Sequence, residues 1–121
     1  MHKHPISWWE LASSDAKATV EFMRKVFDWQ LATDEQESYF EQLAGEGGNG
    51  FFGGGIYQGE QGQPTWLTIY LTVDDVDAKA KEIEAAGGKI IDPPFDVKGL
   101  GRLCLFQEPS GQRLAIIKRV F

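Results

Sequence analysis

The chain has 121 residues, 42% of them hydrophobic, and a net charge of −6 at pH 7; this fits one folded domain and argues against nucleic acid as the main partner, because that binding needs clustered Lys and Arg side chains. No run approaches the ~18 apolar residues of a membrane helix, and residues 1–14 lack the apolar core of a signal peptide. The single cysteine, Cys104, cannot form an intrachain disulfide, so we expect a cytoplasmic protein that contacts no membrane.

The first half of the chain is typical of a strand followed by a helix. Residues 6–12 predict the strand, and Ser13-Ser14-Asp15 supplies side chains that cap a following helix. In this helix, which we expect to end near Asp28-Trp29, apolar residues recur at four-residue spacing. They predict its apolar stripe: Ala18, Phe22 and Val26, with Met23 and Phe27 alongside.

Two further strands are predicted at residues 39–44 and 51–57. The segment between them, residues 45–50, contains four glycines and therefore predicts a hairpin loop. The run Gly53-Gly54-Gly55 does not open a helix, so it is not a phosphate-binding loop. Close packing of the backbone is its expected meaning.

The second half repeats this order of elements. Residues 66–73 alternate between apolar and polar side chains, which indicates a strand, and Asp74 or Asp75 caps a helix with an apolar stripe. Gly87-Gly88 ends that helix. Further strands are predicted at 89–91, 101–107 and 112–120, with turns at Pro93-Pro94 and Pro109-Ser110-Gly111.

The repeated order indicates an internal duplication. Asp15-Ala16-Lys17-Ala18 recurs as Asp77-Ala78-Lys79-Ala80, an offset of 77 − 15 = 62 positions. We therefore expect one α+β domain over residues 1–121, with module one at about 5–60 and module two at about 64–121. No linker between the halves is rich enough in Pro, Ser or charge to separate them.

The chain resembles the vicinal oxygen chelate (glyoxalase, bleomycin-resistance protein and dioxygenase) superfamily over most of its length. The first helix resembles that family's through Asp15, Ala18, Phe22, Val26-Phe27 and Trp29. The second half follows the family's order of motifs: Val73-Asp74-Asp75-Val76-Asp77-Ala78, Gly87-Gly88, Pro93-Pro94, Gly99-Leu100-Gly101-Arg102 and Glu108-Pro109-Ser110-Gly111. The resemblance implies two βαβββ modules that form a curved mixed sheet, and a homodimer.

The resemblance also implies a metal site, whose ligands are His, Glu or Gln in both modules. At the corresponding positions this chain has Trp8, Thr68 and Ala115, with the fourth position around Gly54-Gly55-Ile56. None of these is a competent metal ligand. The only histidines, His2 and His4, precede the first strand, where we expect a frayed terminus. We therefore expect neither a metal nor another cofactor.

Strand alternation predicts which side chains line the cup of the sheet. If Trp8 occupies the ligand face, Glu10 shares that face, while Trp9 and Leu11 point toward the helix. The same register turns Thr68 and Tyr70 inward, with Arg113, Ala115 and Ile117 from the last strand. Arg102, Cys104 and Phe106 alternate with Leu103 and Leu105, and the sequence does not decide which set faces the cup.

These predictions leave three functions open. In the first, the chain binds a small organic molecule in a metal-free aromatic cup, through Trp8, Glu10, Thr68, Tyr70, Arg102 and Ala115. In the second, it is a metal-independent lyase, isomerase or hydroxylase-related enzyme, with Glu10 as base and Tyr70 or Arg102 stabilising negative charge. In the third, it is an interaction domain whose cup is filled by its own side chains.

Two other features have a simple interpretation and an alternative. Residues 98–121 carry five basic side chains and one acidic one, a local charge of +4. An anionic ligand near Arg102 or Arg113 is the alternative to solvated charges at strand ends. Cys104 has no neighbouring His in its strand, so we expect an inert buried thiol rather than a nucleophile.

Overall fold

A computed structural model describes residues 4–42 and 53–119 of the chain. The order of elements is strand, helix and three strands, twice, which confirms the expected α+β fold of two βαβββ modules. No helix in these ranges is long and apolar enough to cross a membrane. The elements are β1 (Ile6–Ser13), α1 (Ala16–Phe27), β2 (Ala32–Thr33), β3 (Tyr39–Gln42), β4 (Gly53–Gln58), β5 (Trp66–Thr72), α2 (Val76–Ala85), β6 (Lys89–Val97), β7 (Gly101–Gln107) and β8 (Arg113–Arg119).

Module one is a mixed sheet with strand order β2-β3-β4-β1. β1 pairs in parallel with β4, which places Glu10 opposite Gly55, and β3 pairs antiparallel with both β2 and β4. The two residues of β2 were not predicted, because so short a strand shows no alternation. The predicted hairpin loop at residues 45–50 lies outside the described residues.

Helix α1 begins and ends as the sequence predicts. The Asp15 side chain accepts a hydrogen bond from the Ala18 amide at 3.1 Å, and Asp28 ends the helix with a left-handed φ of 56°. The predicted apolar stripe is wrong, however, because Phe22 and Val26 are 57% and 53% exposed. The residues that α1 buries lie elsewhere on its circumference. Ala16 and Val20 pack with Leu31, Phe40 and Ile56, and Met23 borders that cluster.

Module two is a mixed sheet with strand order β5-β8-β7-β6. The Asp75 side chain caps α2 through the Ala78 amide at 3.0 Å, and Gly87 follows the helix with the left-handed φ of 100° that was expected there. The core of this module lies between α2 and the face of the sheet that α2 covers. Its buried residues are Val73, Val76, Ala80, Cys104, Phe106 and Ile116.

The edge strand β6 runs further than predicted. Pro93-Pro94 is part of a strand from Lys89 to Val97 rather than a turn. Its pairing with β7 shifts register twice, between Ile90 and Asp92 and between Asp92 and Phe95. An edge strand has no neighbour on one side and can therefore contain prolines, which lack the amide hydrogen of an internal strand.

The described N-terminal residues are attached to module two. Residues 4–7 form one compact unit with residues 68–119, and the described residues between Trp8 and Leu67 form the other. The Thr72 amide donates to the Pro5 carbonyl at 2.9 Å, and His4 Nδ1 lies 3.1 Å from the Thr72 carbonyl oxygen. The expected fraying is therefore wrong for His4, while His2 lies outside the described residues.

Candidate functional site

The two faces of β1 have different surroundings. Trp9 and Leu11 pack against the buried cluster under α1. Because successive side chains of a strand point to opposite faces, Trp8 and Glu10 lie on the face away from α1. This is the strand phase that alternation predicts.

A chain of two hydrogen bonds joins three side chains on this face of module one. The Trp8 indole N–H donates to the Tyr39 hydroxyl oxygen at 3.0 Å, and the Tyr39 hydroxyl donates to Glu10 Oε2 at 2.9 Å. Trp8 is 6% exposed, while Tyr39 and Glu10 are half-buried. The Tyr39 hydroxyl therefore holds both the Trp8 indole and the Glu10 carboxylate in place.

Glycine at position 55 leaves room for the Tyr39 ring. A Cβ added at Gly55 would lie 2.0 Å from the ring and hydroxyl atoms of Tyr39, and one added at Gly54 would lie 2.0 Å from the Trp9 ring on the other face. Tyr39 also stacks on Tyr57, with ring centroids 6.0 Å apart and an interplanar angle of 14°. The glycines of β4 thus permit close packing of aromatic rings on both sides of the strand.

Tyr39 is held in its neutral form. Burial raises the pKa of the Tyr39 hydroxyl well above its ordinary value, and the negative charge of Glu10 raises it further. At physiological pH the phenol therefore donates one hydrogen bond and accepts another, as the geometry requires.

Sequence reasoning missed Tyr39. Tyr39 lies in a predicted strand, but nothing in the sequence shows that β3 pairs with β4 so that this ring reaches β1. The available signal was indirect. Gly53-Gly54-Gly55 indicated that something approaches β4 closely, without showing which side chain does so.

The corresponding face of module two carries three of the predicted ligand residues. Tyr70 lies opposite Ala115 in the register of β5 and β8, and Thr68 shares its face by alternation. All three are almost completely buried: Tyr70 is 4% exposed, Ala115 0% and Thr68 3%. In the described parts of the chain, the buried Thr68 Oγ1 has no hydrogen-bond partner.

The structure decides the orientation of β7, which the sequence left open. Cys104 and Phe106 belong to the core under α2, so Leu103 and Leu105 point to the opposite face. Burial raises the pKa of the Cys104 thiol, which disfavours the nucleophilic thiolate. This agrees with the expectation of an inert cysteine.

Arg102 lies on the α2 side of β7, and this corrects its place among the ligand residues. Its guanidinium donates to both carboxylate oxygens of Asp77, at 2.8 and 2.9 Å, and lies 3.2 Å from Asp96. The two carboxylates raise the pKa of Arg102, and the hydrogen bonds from Arg102 lower the pKa of Asp77. Arg102 therefore joins α2 to β6 and β7. It does not share a face with Tyr70 and Ala115, and we remove it from the candidate site.

The positions that would hold the family's metal do not fit one. The only polar group of Trp8 is an N–H donor, already directed at Tyr39, and Ala115 has no donor atom. Within residues 4–42 and 53–119, no three His, Cys, Asp or Glu side chains gather where they could hold an ion. We therefore derive no chemistry through a metal at these positions.

Known proteins resemble this chain in sequence and in fold. It is 30% identical over 129 residues to the anthracycline biosynthesis proteins DnrV of Streptomyces peucetius and DauV of Streptomyces sp. (strain C5), covering 93% of this chain and 46% of each relative. The chain thus spans about half the length of these curated relatives.

Solved structures extend the resemblance to the fold. A variant of Streptomyces coelicolor methylmalonyl-CoA epimerase, in complex with 2-nitronate-propionyl-CoA, matches with a TM-score of 0.67 at 17% identity, over 99% of this chain and 100% of that one. The protein BH1468 of Bacillus halodurans matches with a TM-score of 0.71 at 9% identity, over 99% and 97%.

A family model covers nearly the whole chain. The match spans residues 5–116 and includes every element from β1 to α2 as well as β6 and β7. It agrees with the order of strands and helices and with the structural neighbours. The chain therefore belongs to the Glyoxalase/Bleomycin resistance protein/Dioxygenase superfamily.

Proposed function

We propose that this protein binds a small, flat organic molecule, without a metal, on the face of module one that carries Trp8, Glu10, Tyr39 and Tyr57 (the Tyr39 face). The observation that carries the proposal is the hydrogen-bonded chain from the Trp8 indole through Tyr39 to Glu10. Side chains locked in this way can recognise a ligand without losing rotamer freedom when it binds.

The Tyr39 face has a defined hydrogen-bonding character. The Trp8 N–H and the Tyr39 O–H already donate within the chain, and neither residue has a second polar hydrogen. A ligand therefore meets the aromatic surfaces of Tyr39 and Tyr57, the Tyr57 hydroxyl, and an acceptor, the Glu10 carboxylate. This combination favours a planar molecule with a hydroxyl or amino group on its edge.

The relatives support the same class of ligand. DnrV and DauV are named for the biosynthesis of anthracyclines, which are flat, fused-ring molecules with several hydroxyl groups. Their activities belong to proteins about twice as long as the matched region. For this chain, a hydroxylated polycyclic aromatic compound is therefore our proposal for the ligand class.

Calorimetric titration with an anthracycline and with 2-naphthol tests the proposal. We expect saturable binding to the wild type, weakened about fivefold to tenfold in Tyr39→Phe, which removes the bridging hydroxyl and both of its hydrogen bonds. Trp29→Phe is the control, because Trp29 borders the cluster under α1. Absence of binding to both probes, or equal weakening by the two substitutions, would count against the Tyr39 face.

Catalysis by Glu10 is the second candidate, and one contact favours it. The hydrogen bond from Tyr39 holds the Glu10 carboxylate in one orientation, which a general base requires. Glu10→Gln separates the two functions. Loss of turnover with retained affinity supports a metal-independent lyase, isomerase or hydroxylase-related enzyme, whereas retained binding without turnover in the wild type supports a binding protein. Glu35→Gln, a surface change, is the matched control.

Thr68, Tyr70 and Ala115 remain predicted ligand residues. Their near-complete burial also fits the third interpretation, in which a face is filled by its own side chains. A cytoplasmic location, the absence of a cofactor and a homodimer likewise stay predictions.

A further inference from the structure

A second glutamate lies on the Tyr39 face. In the pairing of β3 with β4, Glu41 lies opposite Gly55. Phe40, the residue before it, packs in the cluster under α1. Because alternate side chains of a strand share a face, Glu41 and Tyr39 both point to the side of the sheet away from α1.

The neighbouring strands offer Glu41 no cation. Its partner on one side, Gly55, has no side chain, and its partner on the other side, Ala32 of β2, has only a methyl group. The four strands of module one contain two acidic residues, Glu10 and Glu41, and no Lys, Arg or His. The three basic residues among the described residues of this module lie in α1, which covers the other face of the sheet.

The carboxylate of Glu41 is partly withdrawn from water. The residue is half-buried, and within residues 4–42 and 53–119 it forms no ion pair. Its charge reaches the neighbouring phenol: burial and the charge of Glu10 raise the pKa of Tyr39, and Glu41 adds to this rise. A carboxylate in such a position destabilises the protein when it has no cation beside it, and a bound cation offsets this cost.

Building on the binding function proposed above, we propose that Glu41 determines the charge of the ligand: it selects an aromatic molecule that carries a positively charged amine. The rings of Tyr39 and Tyr57 are stacked, and the negative faces of aromatic rings also attract a cation. The aromatic part of the ligand contacts these rings. Its ammonium group donates to the Glu41 carboxylate.

The two glutamates have different parts in this site. The Glu10 carboxylate accepts from the Tyr39 hydroxyl at 2.9 Å, so its orientation is fixed within the chain. The Glu41 carboxylate accepts no hydrogen bond in the described ranges, so it can turn toward the charged group of a ligand. Glu10 therefore orients the ligand, and Glu41 selects its charge.

Calorimetric titration with three naphthalene derivatives of different charge tests the inference. At neutral pH 2-naphthylmethylamine is a cation, 2-naphthol is neutral and 2-naphthoate is an anion, while the ring system is the same. We expect the wild type to bind the cation about tenfold more tightly than 2-naphthol, and the anion more weakly than either. Added salt should reduce the preference for the cation, because it screens a partly exposed charge pair.

Substitutions at Glu41 locate the source of this preference. Glu41→Gln should abolish the preference for the cation and leave the affinity for 2-naphthol within about twofold of the wild type, whereas Glu41→Lys should favour 2-naphthoate. Glu35→Gln removes the same charge from an exposed position of this module and should keep the preference. Thermal unfolding of each variant checks that the fold is retained, and the order of affinities in the wild type needs no variant.

The outcomes separate this inference from the proposed binding function. Equal or weaker binding of the cation than of 2-naphthol by the wild type would overturn the role of Glu41. A preference for the cation that survives Glu41→Gln would overturn it as well. In both cases, binding of 2-naphthol that Tyr39→Phe weakens would leave the Tyr39 face as the binding site. Absence of binding to all three probes would overturn both proposals.

Discussion

The two modules share their frame and differ on their surfaces. Each helix begins at an aspartate whose side chain accepts from the amide three residues later, Asp15 in α1 and Asp75 in α2. Each sheet has one parallel pair that involves its first strand, β1 with β4 and β5 with β8. The face away from the helix, however, carries the polar chain of Tyr39 in module one and buried, mainly apolar side chains in module two.

This difference indicates which features the architecture requires. Caps, strand order and one apolar face on each helix recur in both modules, so they belong to the fold. The Tyr39 face and the exposed apolar residues of α1 (Phe22, Val26 and Phe27) occur in module one, and packing within the duplicated unit does not explain them. We therefore assign to these two surfaces whatever module one contributes beyond the fold.

The largest effect is expected when the Tyr39 ring is displaced. Gly55→Ala places a methyl group 2.0 Å from the ring, so Tyr39 must move and both of its hydrogen bonds are lost. We expect a loss of about 3 kcal/mol in the free energy of unfolding, measured by urea denaturation.

Gly59→Ala is the control for Gly55→Ala. Its Cβ would make an ordinary contact, 3.4 Å from the Ser13 carbonyl oxygen. A loss below about 0.5 kcal/mol is expected there. Equal losses at the two glycines would mean that the Tyr39 face is not a packed unit of module one.

The two faces of α1 should respond differently to truncation. Val20 is 2% exposed, so Val20→Ala should lower the free energy of unfolding by about 2 kcal/mol. Phe22→Ala, although it removes more atoms, should change it by less than about 0.5 kcal/mol, because Phe22 is exposed. A large loss at Phe22 would place it in the core, and the contrast between the two faces of α1 would disappear.

Alkaline pH should destabilise module one through Tyr39. Its pKa is raised in the folded protein above the ordinary value of 10.0. Both states are protonated below pH 10, so the contribution is complete there, and it is lost as the unfolded phenol ionises at higher pH. The expected slope is about 1.4 kcal/mol per pH unit for this one group.

The pH effect is read as the difference between the wild type and Tyr39→Phe, since other groups also titrate in this range. The difference should change steadily above pH 10 and be constant below it. A difference that does not vary with pH would mean that Tyr39 is as accessible to water as an unfolded tyrosine.

The smallest effects test what the modules share. Asp15→Ala and Asp75→Ala each remove one cap hydrogen bond of about 3 Å, and each should cost about 1 kcal/mol. Similar losses support equivalent helix starts, and the change can be followed by thermal unfolding. A loss at one site alone would show that the two caps do not contribute equally to the two helices.

Much of the frame could be predicted because its signals are local. Asp15, Asp75 and Gly87 act on neighbouring residues, and alternation in β1 separates Trp8 from Trp9 without knowledge of the rest. The phase of α1 could not be predicted from spacing, because Ala18, Phe22 and Val26 repeat as regularly as Ala16 and Val20, and only the docked sheet decides between the sets.

The rest of the candidate site depended on strand pairing. Tyr39 reaches Trp8 and Glu10 because β3 pairs with β4, and β4 with β1. Arg102 lies on the α2 side of the sheet because it shares a face of β7 with Cys104 and Phe106, which pack under α2. Neither pairing leaves a mark in the local sequence, so the sequence identified the residues of β1 but not their partner, and it kept Arg102 in a site from which the structure removes it.

The irregular edge strand β6 has a consequence for the aggregation of this protein in concentrated solution. Its two prolines offer no amide hydrogens, and its two register shifts break the even spacing that an added strand would need. A strand from another molecule therefore cannot pair regularly with the outer edge of β6. We expect aggregation of the native protein to begin elsewhere, and replacement of both prolines by threonine to shorten the lag before fibrils form.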